Sequence, residues 1–599
     1  MNIHKYVLLG QRFPRSSLLL FALPLLLING EHQSLMPHDE GYYAIQARWI
    51  WESGDWLTPQ WWGLPIYDRT IGIQWLIALA YHLFGLNEFS VRLPSAIACL
   101  ASVLLTYEMG IILFNRQIAW LGAAILMLMG LWVSEAHTAQ QNTALVAIEL
   151  LGIWALLKIA DSQSISLSSS GWRSWTGVSI LRWRGYANER SWLWGLLAGA
   201  SVGGGFLLKG FMIFVPIVAL LPYAIDRQRY QKFLTNPGIY IGLIFGAIPT
   251  GLWLILSCVK YGGLMPVQEL VNKLLFLSKT DTYNPGPFYY LWNLPLNIFP
   301  WALFSAIGTI VVWRKLLPIN YFAISLTLGY PICLFILLSL FRTRMAYYTM
   351  QLLPLMALLA AAAFVQFGQI SRQQIGGYRL VTWLGYAFSG LGIILAVAGI
   401  LVAIVGVASP SENRPLWGLV IPPEIRIYAL PAIALGGGWI TIPSLWRRWQ
   451  PPATPFWLAG WLLPAWMAIV GFGLQGALTD KSPDFRTAFD RLMTDRFMVS
   501  TLASSLDKQP VNLFIDNIAA EGFGQPSKHD RALTTDEHKT LILLSFYTPH
   551  LGKQLDSFTD LPDRSYAWTL SVPPQLTART RVIGKVQGWQ LIQKISSGG

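Results

Sequence analysis

The chain alternates long apolar runs with short polar breaks. Runs of roughly 17–25 apolar residues recur near 10–30, 92–114, 117–134, 142–160, 191–208, 210–224, 238–258, 288–313, 319–341, 346–368, 381–407, 427–446 and 455–478. Helices of that length cross a hydrocarbon layer of about 30 Å, so the pattern predicts a polytopic α-helical membrane protein with about 13 transmembrane helices. A further run, IGIQWLIALAYHLFG (71–85), is shorter and carries Gln74 and His82. It reads as a juxtamembrane helix rather than a span. After about residue 479 the apolar density falls. VNLFIDN, TLILLSFY, SYAWTL and RVIGKV then read as short strands between polar turns. The expected organisation is a transmembrane unit over 1–478, with an outer-face loop at 31–91, and a soluble C-terminal α/β or α+β domain over 479–599.

Composition agrees with that pattern. Of 599 residues, 54% are apolar and 12% charged, and the mean hydropathy is +0.46. The net charge of +13 could suggest nucleic acid, but the basic residues fall between spans. With the N-terminus inside, as Lys5, Arg12 and Arg15 suggest, Arg116, Arg173, Arg182, Arg184 and Arg190 lie on cytoplasmic loops. So do Arg227, Arg229, Lys232, Arg314, Lys315, Arg372, Arg379, Arg447 and Arg448. This positive-inside pattern holds only if 71–85 does not span, and it puts 31–91 and the C-terminal domain outside. No nucleic-acid partner is expected. The three cysteines, Cys99, Cys258 and Cys333, sit inside apolar runs and read as small core residues. The first run lacks a clear cleavage site and reads as a retained anchor.

The chemistry is expected at PHDEGYYAIQARWIWESGDW (37–56), where Asp39 and Glu40 directly follow the first apolar run. Tyr43, Ala44, Ala47, Ile50 and Trp51 form a helical stripe, and Gly54 supplies a stop. This predicts a short amphipathic helix in the membrane interface, anchored by Trp49 and Trp51, with Asp39 at or near its N-terminus. There the helix dipole favours a charged carboxylate, and the plainer reading of Asp39 is a helix cap. Basic residues at outer span ends argue for more: Arg69 beside Asp68, Lys209 in GGGFLLKGF, and Arg342 and Arg344 in LFRTRMAYY. A charge beside hydrocarbon is costly without a partner, and these cations next to an acidic pair suit an anionic lipid headgroup such as a phosphate. Their plainer reading is snorkelling or local ion pairing.

These residues also carry a resemblance. Asp39, Glu40, Tyr43 and Ala44 are followed by Gly54, Asp55, Trp56 and Pro59, by Tyr67, Asp68 and Arg69, and by Phe84, Gly85, Glu88, Arg92, Leu93, Pro94 and Ser95. FLLKG (206–210), GPFYYLWNLPLNIFPW (286–301) and RTRMAYYTMQLLPLMALLAA (342–361) follow in order. The pattern resembles the bacterial polytopic glycosyltransferases of the aminoarabinose-transferase and protein mannosyltransferase type, over most of 31–368. The resemblance implies the GT-C membrane fold and transfer of a sugar from a polyprenyl-phosphate carrier on the outer face of the bacterial inner membrane. It further implies inversion at the anomeric centre, no cofactor and no catalytic metal. The acceptor, whether lipid, protein or glycan, stays open.

By that resemblance Asp39 is the base or orienting carboxylate for the acceptor, with Glu40 beside it in the catalytic pair. Arg69, Lys209, Arg342, Arg344, Tyr347 and Tyr348 would serve the donor phosphate. Tyr43, Tyr67, Asp68 and Glu88 are further candidates. Departures stand out too. Arg69 and Arg344 replace lysines common in the family, which keeps the charge but changes the donor geometry. The family's usual second acid falls on Asn142, within AHTAQQNTAL, where an amide cannot act as a base; Glu135 nearby could take part. His137, Gln141 and Asn142 otherwise read as a solvated turn capping the next helix. Two rival readings are a lipid or sugar transporter and an inactive carrier-binding relative. The transporter lacks internal repeats to support it.

Overall fold

The computed structural model describes residues 13–28, 33–162, 164–166, 181–183, 191–225, 233–279, 284–316, 324–373, 378–408, 422–448, 454–494, 509–514, 533–555, 557–570 and 579–595. Lys5, Arg12 and most of the Ser-rich segment 161–190 lie outside them.

Helix α1 is Pro14–Leu27, and α2 is Asp39–Ser53. A two-residue hairpin, β1 (Gln60–Trp61) with β2 (Leu64–Pro65), leads to α3, Gly72–Phe84. Then come α4 (Glu88–Leu113), α5 (Arg116–Leu126), α6 (Gly130–Ala136) and α7 (Gln141–Ser162). A small antiparallel pair, β3 (Ser164–Ser166) and β4 (Leu181–Trp183), precedes α8, Ser191–Lys209. The chain continues through α9 (Phe214–Ala219), α10 (Pro237–Tyr261), α11 (Met265–Lys279), α12 (Tyr289–Asn297) and α13 (Trp301–Leu316). It closes the helical part with α14 (Tyr330–Leu340), α15 (Leu353–Gln373), α16 (Tyr378–Ala408), α17 (Ala429–Arg448) and α18 (Thr454–Leu474).

Among the described residues, six helices are long and apolar enough to cross a membrane, or eight if each of two bent pairs is one span. The apolar runs behind the expectation of about 13 transmembrane helices differ in form among the described residues. The runs at 117–134 and 288–313 are bent by 63° and 108°. The second bend falls between α12 and α13 at Pro300, which has no N–H to continue a helical ladder. The runs at 191–208 and 210–224 meet at Lys209–Gly210, where Gly210 takes a left-handed φ of 57°. The runs near 10–30, 319–341, 427–446 and 455–478 hold shorter apolar helices. Helix α3, as expected for 71–85, is also too short to span.

The C-terminal part holds α19 (Pro483–Thr494), β5 (Val511–Phe514), α20 (Thr535–Tyr547), β6 (Leu551–Leu555), β7 (Tyr566–Thr569), β8 (Thr580–Val586) and β9 (Trp589–Lys594). The strands form one mixed sheet in the order β6-β5-β7-β9-β8, with β5 parallel to both neighbours and β9 antiparallel to both of its own. The expected strand TLILLSFY is instead α20. It starts in a capping box, in which the Thr534 hydroxyl accepts from the Glu537 N–H and the Glu537 carboxylate accepts from the Thr534 N–H. This C-terminal part shares a core with α2 and α3. Tyr42, Ile45, Trp61, Trp62 and Ile77 are buried with Leu541, Ile542, Phe546, Trp568 and Trp589.

Candidate active site

Helix α2 starts with Asp39 and Glu40 in its first turn and stops at Gly54, whose left-handed φ of 69° lets its N–H close on the Ile50 carbonyl at 3.0 Å. The helix does not lie on a surface as expected. Glu40 through Arg48 are all buried. The charged members of that stretch are accommodated by partners, Glu40 by Arg92 and Arg48 by backbone carbonyls, and the Gln46 amide oxygen accepts from Gln74.

The two adjacent carboxylates point to different places. Asp39 is 39% exposed. Its Oδ1 stands 3.4 Å from Arg69 Nη1, and its Oδ2 accepts from the Tyr347 hydroxyl, also at 3.4 Å. Glu40 is fully buried. Its Oε1 accepts from Arg92 Nε at 2.7 Å and from the Ala139 N–H at 3.2 Å; its Oε2 accepts from the Met36 N–H at 2.7 Å. Glu40 is therefore sealed from any substrate, and its expected catalytic role does not fit the structure. It ties the loop before α2 to α4 and to the turn before α7.

Three other chain segments close around Asp39. Arg69 donates to Asp68 at 3.0 Å and lies over the rings of Tyr43 (4.8 Å) and Tyr42 (5.3 Å). Burial opposes the charge on Arg69, but Asp68, Tyr43 and Asp39 outweigh it and raise its pKa. Burial likewise raises the Tyr43 hydroxyl, which stays neutral. Lys209, at the end of α8, projects over Tyr347 (5.7 Å) and Tyr348 (4.8 Å) and donates to Asn142 Oδ1. The Asn142 amide N–H in turn donates to Gln140. The stretch 137–143 is buried, not the solvated turn its polarity suggested. His38, just before Asp39, is pushed below its ordinary pKa by burial and by Lys539, with Asp39 opposing.

The structure thus gathers Asp39, Asp68, Arg69, Asn142, Lys209, Tyr43, Tyr347 and Tyr348. Other candidates lie elsewhere. Tyr67 is buried against Trp253 and Tyr261, and its hydroxyl donates to the Leu57 carbonyl at 3.4 Å. Glu88 accepts from Arg486 and from Tyr547, both at 3.1 Å. Arg344 donates to the Ser339 carbonyl and to Asn284. Arg342 is exposed.

The structure also brings in groups that the sequence did not offer. Lys273 and Glu269 on α11 stand near the Asp68–Arg69 pair. Burial lowers the Lys273 pKa, with Arg69 adding and Asp68 and Asp39 opposing, and Glu269 accepts from the Tyr67 N–H at 2.8 Å. Their i,i+4 spacing looks like an ordinary surface pair, which hides them. Among the described residues, no three His, Cys, Asp or Glu side chains gather as a metal would need.

Comparison with known proteins sharpens this geometry. Residues 68–181 and 174–255 match the family described as dolichyl-phosphate-mannose-protein mannosyltransferase. The undecaprenyl phosphate-alpha-4-amino-4-deoxy-L-arabinose arabinosyl transferase of Pectobacterium atrosepticum is 25% identical over 513 residues, 83% of each chain. Its Pseudomonas aeruginosa counterpart is 26% identical over 500 residues, 81% of each. The crystal structure of ArnT from Cupriavidus metallidurans bound to undecaprenyl phosphate superposes with a TM-score of 0.64 at 17% identity, covering 97% of this chain and 98% of that one. The chain shares the fold of that ArnT structure. The apo form of the same ArnT gives a TM-score of 0.62 and covers the whole of this chain. The resemblance therefore extends beyond the motifs of 31–368 and takes in the C-terminal part.

Proposed function

We propose that this chain is an inverting glycosyltransferase that moves a sugar from a polyprenyl-phosphate carrier to a hydroxyl-bearing acceptor at the outer face of the bacterial inner membrane. The observation that carries the reading is the meeting of Asp39 with Arg69, Lys209, Tyr347 and Tyr348 from four separate parts of the chain. Asp39 takes the proton of the acceptor hydroxyl as its oxygen attacks the anomeric carbon. The bond from that carbon to the phosphate oxygen breaks, and the carrier leaves as a phosphate anion. Arg69 and Lys209, the two cations gathered near Asp39, offset that charge. The two tyrosine hydroxyls supply neutral donors beside them. No cofactor enters the step. The names of the relatives make an undecaprenyl-phosphate-linked aminopentose the first donor to try.

Asn142 favours a second reading, a carrier-binding relative without turnover, because Lys209 rests on an amide where the family's pattern has an acid. One experiment addresses both. The protein is purified in lipid and incubated with radiolabelled polyprenyl-phosphate sugars, and release of sugar or glycosylated acceptor is compared between wild type and Asp39→Asn. The expected result is turnover by wild type and a loss of about 10²–10⁴-fold in the variant. Equal turnover by both leaves Asp39 a first-turn carboxylate beside Arg69 and Tyr347, with no part in the chemistry; the cap reading is not available to it, because His38 holds the N-cap position with no side-chain cap bond. Binding of a donor without turnover by wild type favours the second reading.

A further inference from the structure

The approach to Asp39 is held from the far end of the chain. The Ser34 N–H donates to the Thr479 carbonyl at 3.2 Å, and the Lys481 N–H donates back to the Ser34 carbonyl at 3.3 Å. The Leu35 N–H donates to the Tyr547 hydroxyl at 3.2 Å, and the Leu35 carbonyl accepts from Ser482 Oγ at 3.0 Å. Within the first turn of α2, Gly41 makes room for α20. A Cβ at that position would run into Ile542 Cγ2 and stand 3.0 Å from the Met36 carbonyl.

Two turns further on, Arg48 is fully buried. Its Nη1 donates to the carbonyls of Ser545 (3.1 Å), Phe546 (2.9 Å) and Thr548 (2.7 Å), and its Nη2 to that of Pro549 (2.6 Å). Carbonyls at a helix C-terminus have no intrahelical donor, and Arg48 satisfies two of those of α20, at Ser545 and Phe546, with the Thr548 and Pro549 carbonyls just beyond it. Trp62 adds an indole N–H to Ser545 Oγ at 3.0 Å.

We propose that α20 is a positioning element of the active site: the Gly41–Ile542 contact and the Arg48 clamp set where the Asp39 carboxylate stands. The inference rests on the role given to Asp39 above. Among the described residues, both side-chain hydrogen-bond contacts of Asp39 are 3.4 Å long, too long to fix a carboxylate. Its place is inherited from the first turn of α2, and α20 holds that turn. A displacement of about 1 Å at a reacting group can cost on the order of a hundredfold in rate. The C-terminal part therefore acts on the chemical step itself.

The test uses the full chain in lipid and undecaprenyl-phosphate-linked 4-amino-4-deoxy-arabinose. Sugar release to water and to acceptor is measured for wild type, Asp39→Asn, Gly41→Ala, Gly41→Ala with Ile542→Ala, and Arg48→Lys, alongside melting temperature. Gly41→Ala is expected to lower kcat for both releases about ten- to a hundredfold, with the donor KM within about twofold. Removing the Ile542 side chain opens the space and restores most of the rate, although it adds a cavity and lowers the melting temperature. That opposite movement of rate and stability separates positioning from simple folding. If Gly41→Ala cannot be recovered folded, Arg48→Lys carries the test through the same fall in kcat. A kcat within about twofold of wild type in the recovered variant, or a loss that Ile542→Ala leaves in place, overturns the proposal. No turnover by wild type, or equal turnover by Asp39→Asn, breaks the glycosyltransferase reading first, and the positioning role falls with it.

Discussion

Asp39 and Glu40 are neighbours in sequence and opposites in structure. Asp39 is partly exposed, with two long contacts to groups that could exchange partners. Glu40 is sealed, with a 2.7 Å ion pair to Arg92 and two backbone N–H groups on its oxygens. A helix turns about 100° per residue, so consecutive side chains face different surroundings. The comparison shows how one acidic pair divides its work. The carboxylate with loose partners is free to meet a substrate, and the one with tight partners holds the frame. A buried charge with several good hydrogen bonds has no reason to leave them for a ligand.

Substitutions at the two positions sharpen that division. Asp39→Asn is expected to have the largest effect on turnover, the loss given above, with melting temperature nearly unchanged because its contacts are 3.4 Å long and Arg69 keeps Asp68 as its counter-charge. Glu40→Gln should act the other way round. It leaves the Arg92 guanidinium buried without a counter-charge, which costs about 3–5 kcal/mol. Thermal unfolding in lipid checks this. A Glu40→Gln protein that melts like wild type but has lost turnover would reverse the roles of the two carboxylates.

Much of this frame was legible in the sequence, and its failures have identifiable causes. The two short helices around residues 40–53 and 72–84 follow from Gly54, Gly85 and the apolar spacing, and they are present. Their setting was not legible. Gln46 and Arg48 looked like the wet side of a surface helix, because their partners are Gln74 and carbonyls some 500 positions away. The α20 segment looked like a strand because its apolar run is continuous, with no helical period to betray it. The signal that could have corrected it was local: Thr534 three residues ahead of Glu537 is a capping box. The bends within the span pattern were not legible, because the breaks at Gly210 and Pro300 are single residues inside otherwise apolar runs. Arg69 and Lys209 were found as cations out of place. Lys273 was missed because it was a cation in an ordinary place.

Lys209 breaks the comparison at a finer level. It is a cation with one amide partner, Asn142, and two aromatic faces, whereas Arg92 is a cation committed to a carboxylate. Lys209→Met should therefore lower turnover by about 10²–10³-fold through loss of charge on the leaving phosphate, while leaving the fold intact. Steady-state kinetics with the donor above its KM would read this. If the variant loses only donor affinity and keeps kcat, Lys209 binds the carrier equally before and during reaction and contributes no selective stabilisation.

The smallest effect is expected at Arg342. Two arginines in RTR carry the same charge and were candidates for the same phosphate. Arg344 is buried and donates to the Ser339 carbonyl and Asn284, so it braces the turn between α14 and Tyr347. Arg342 is exposed, where water screens its charge from the site. Arg342→Ala should change kcat and donor KM by less than about twofold, in line with an exposed pair being worth under about 1 kcal/mol. Low-salt kinetics give the sharper form of the test, because screening is then weakest. A fall that appears at low salt and vanishes near 0.15 M would make Arg342 a steering charge for the anionic carrier. A fall that persists at high salt would require Arg342 to touch the phosphate, and the loop carrying it to swing inward when the donor binds.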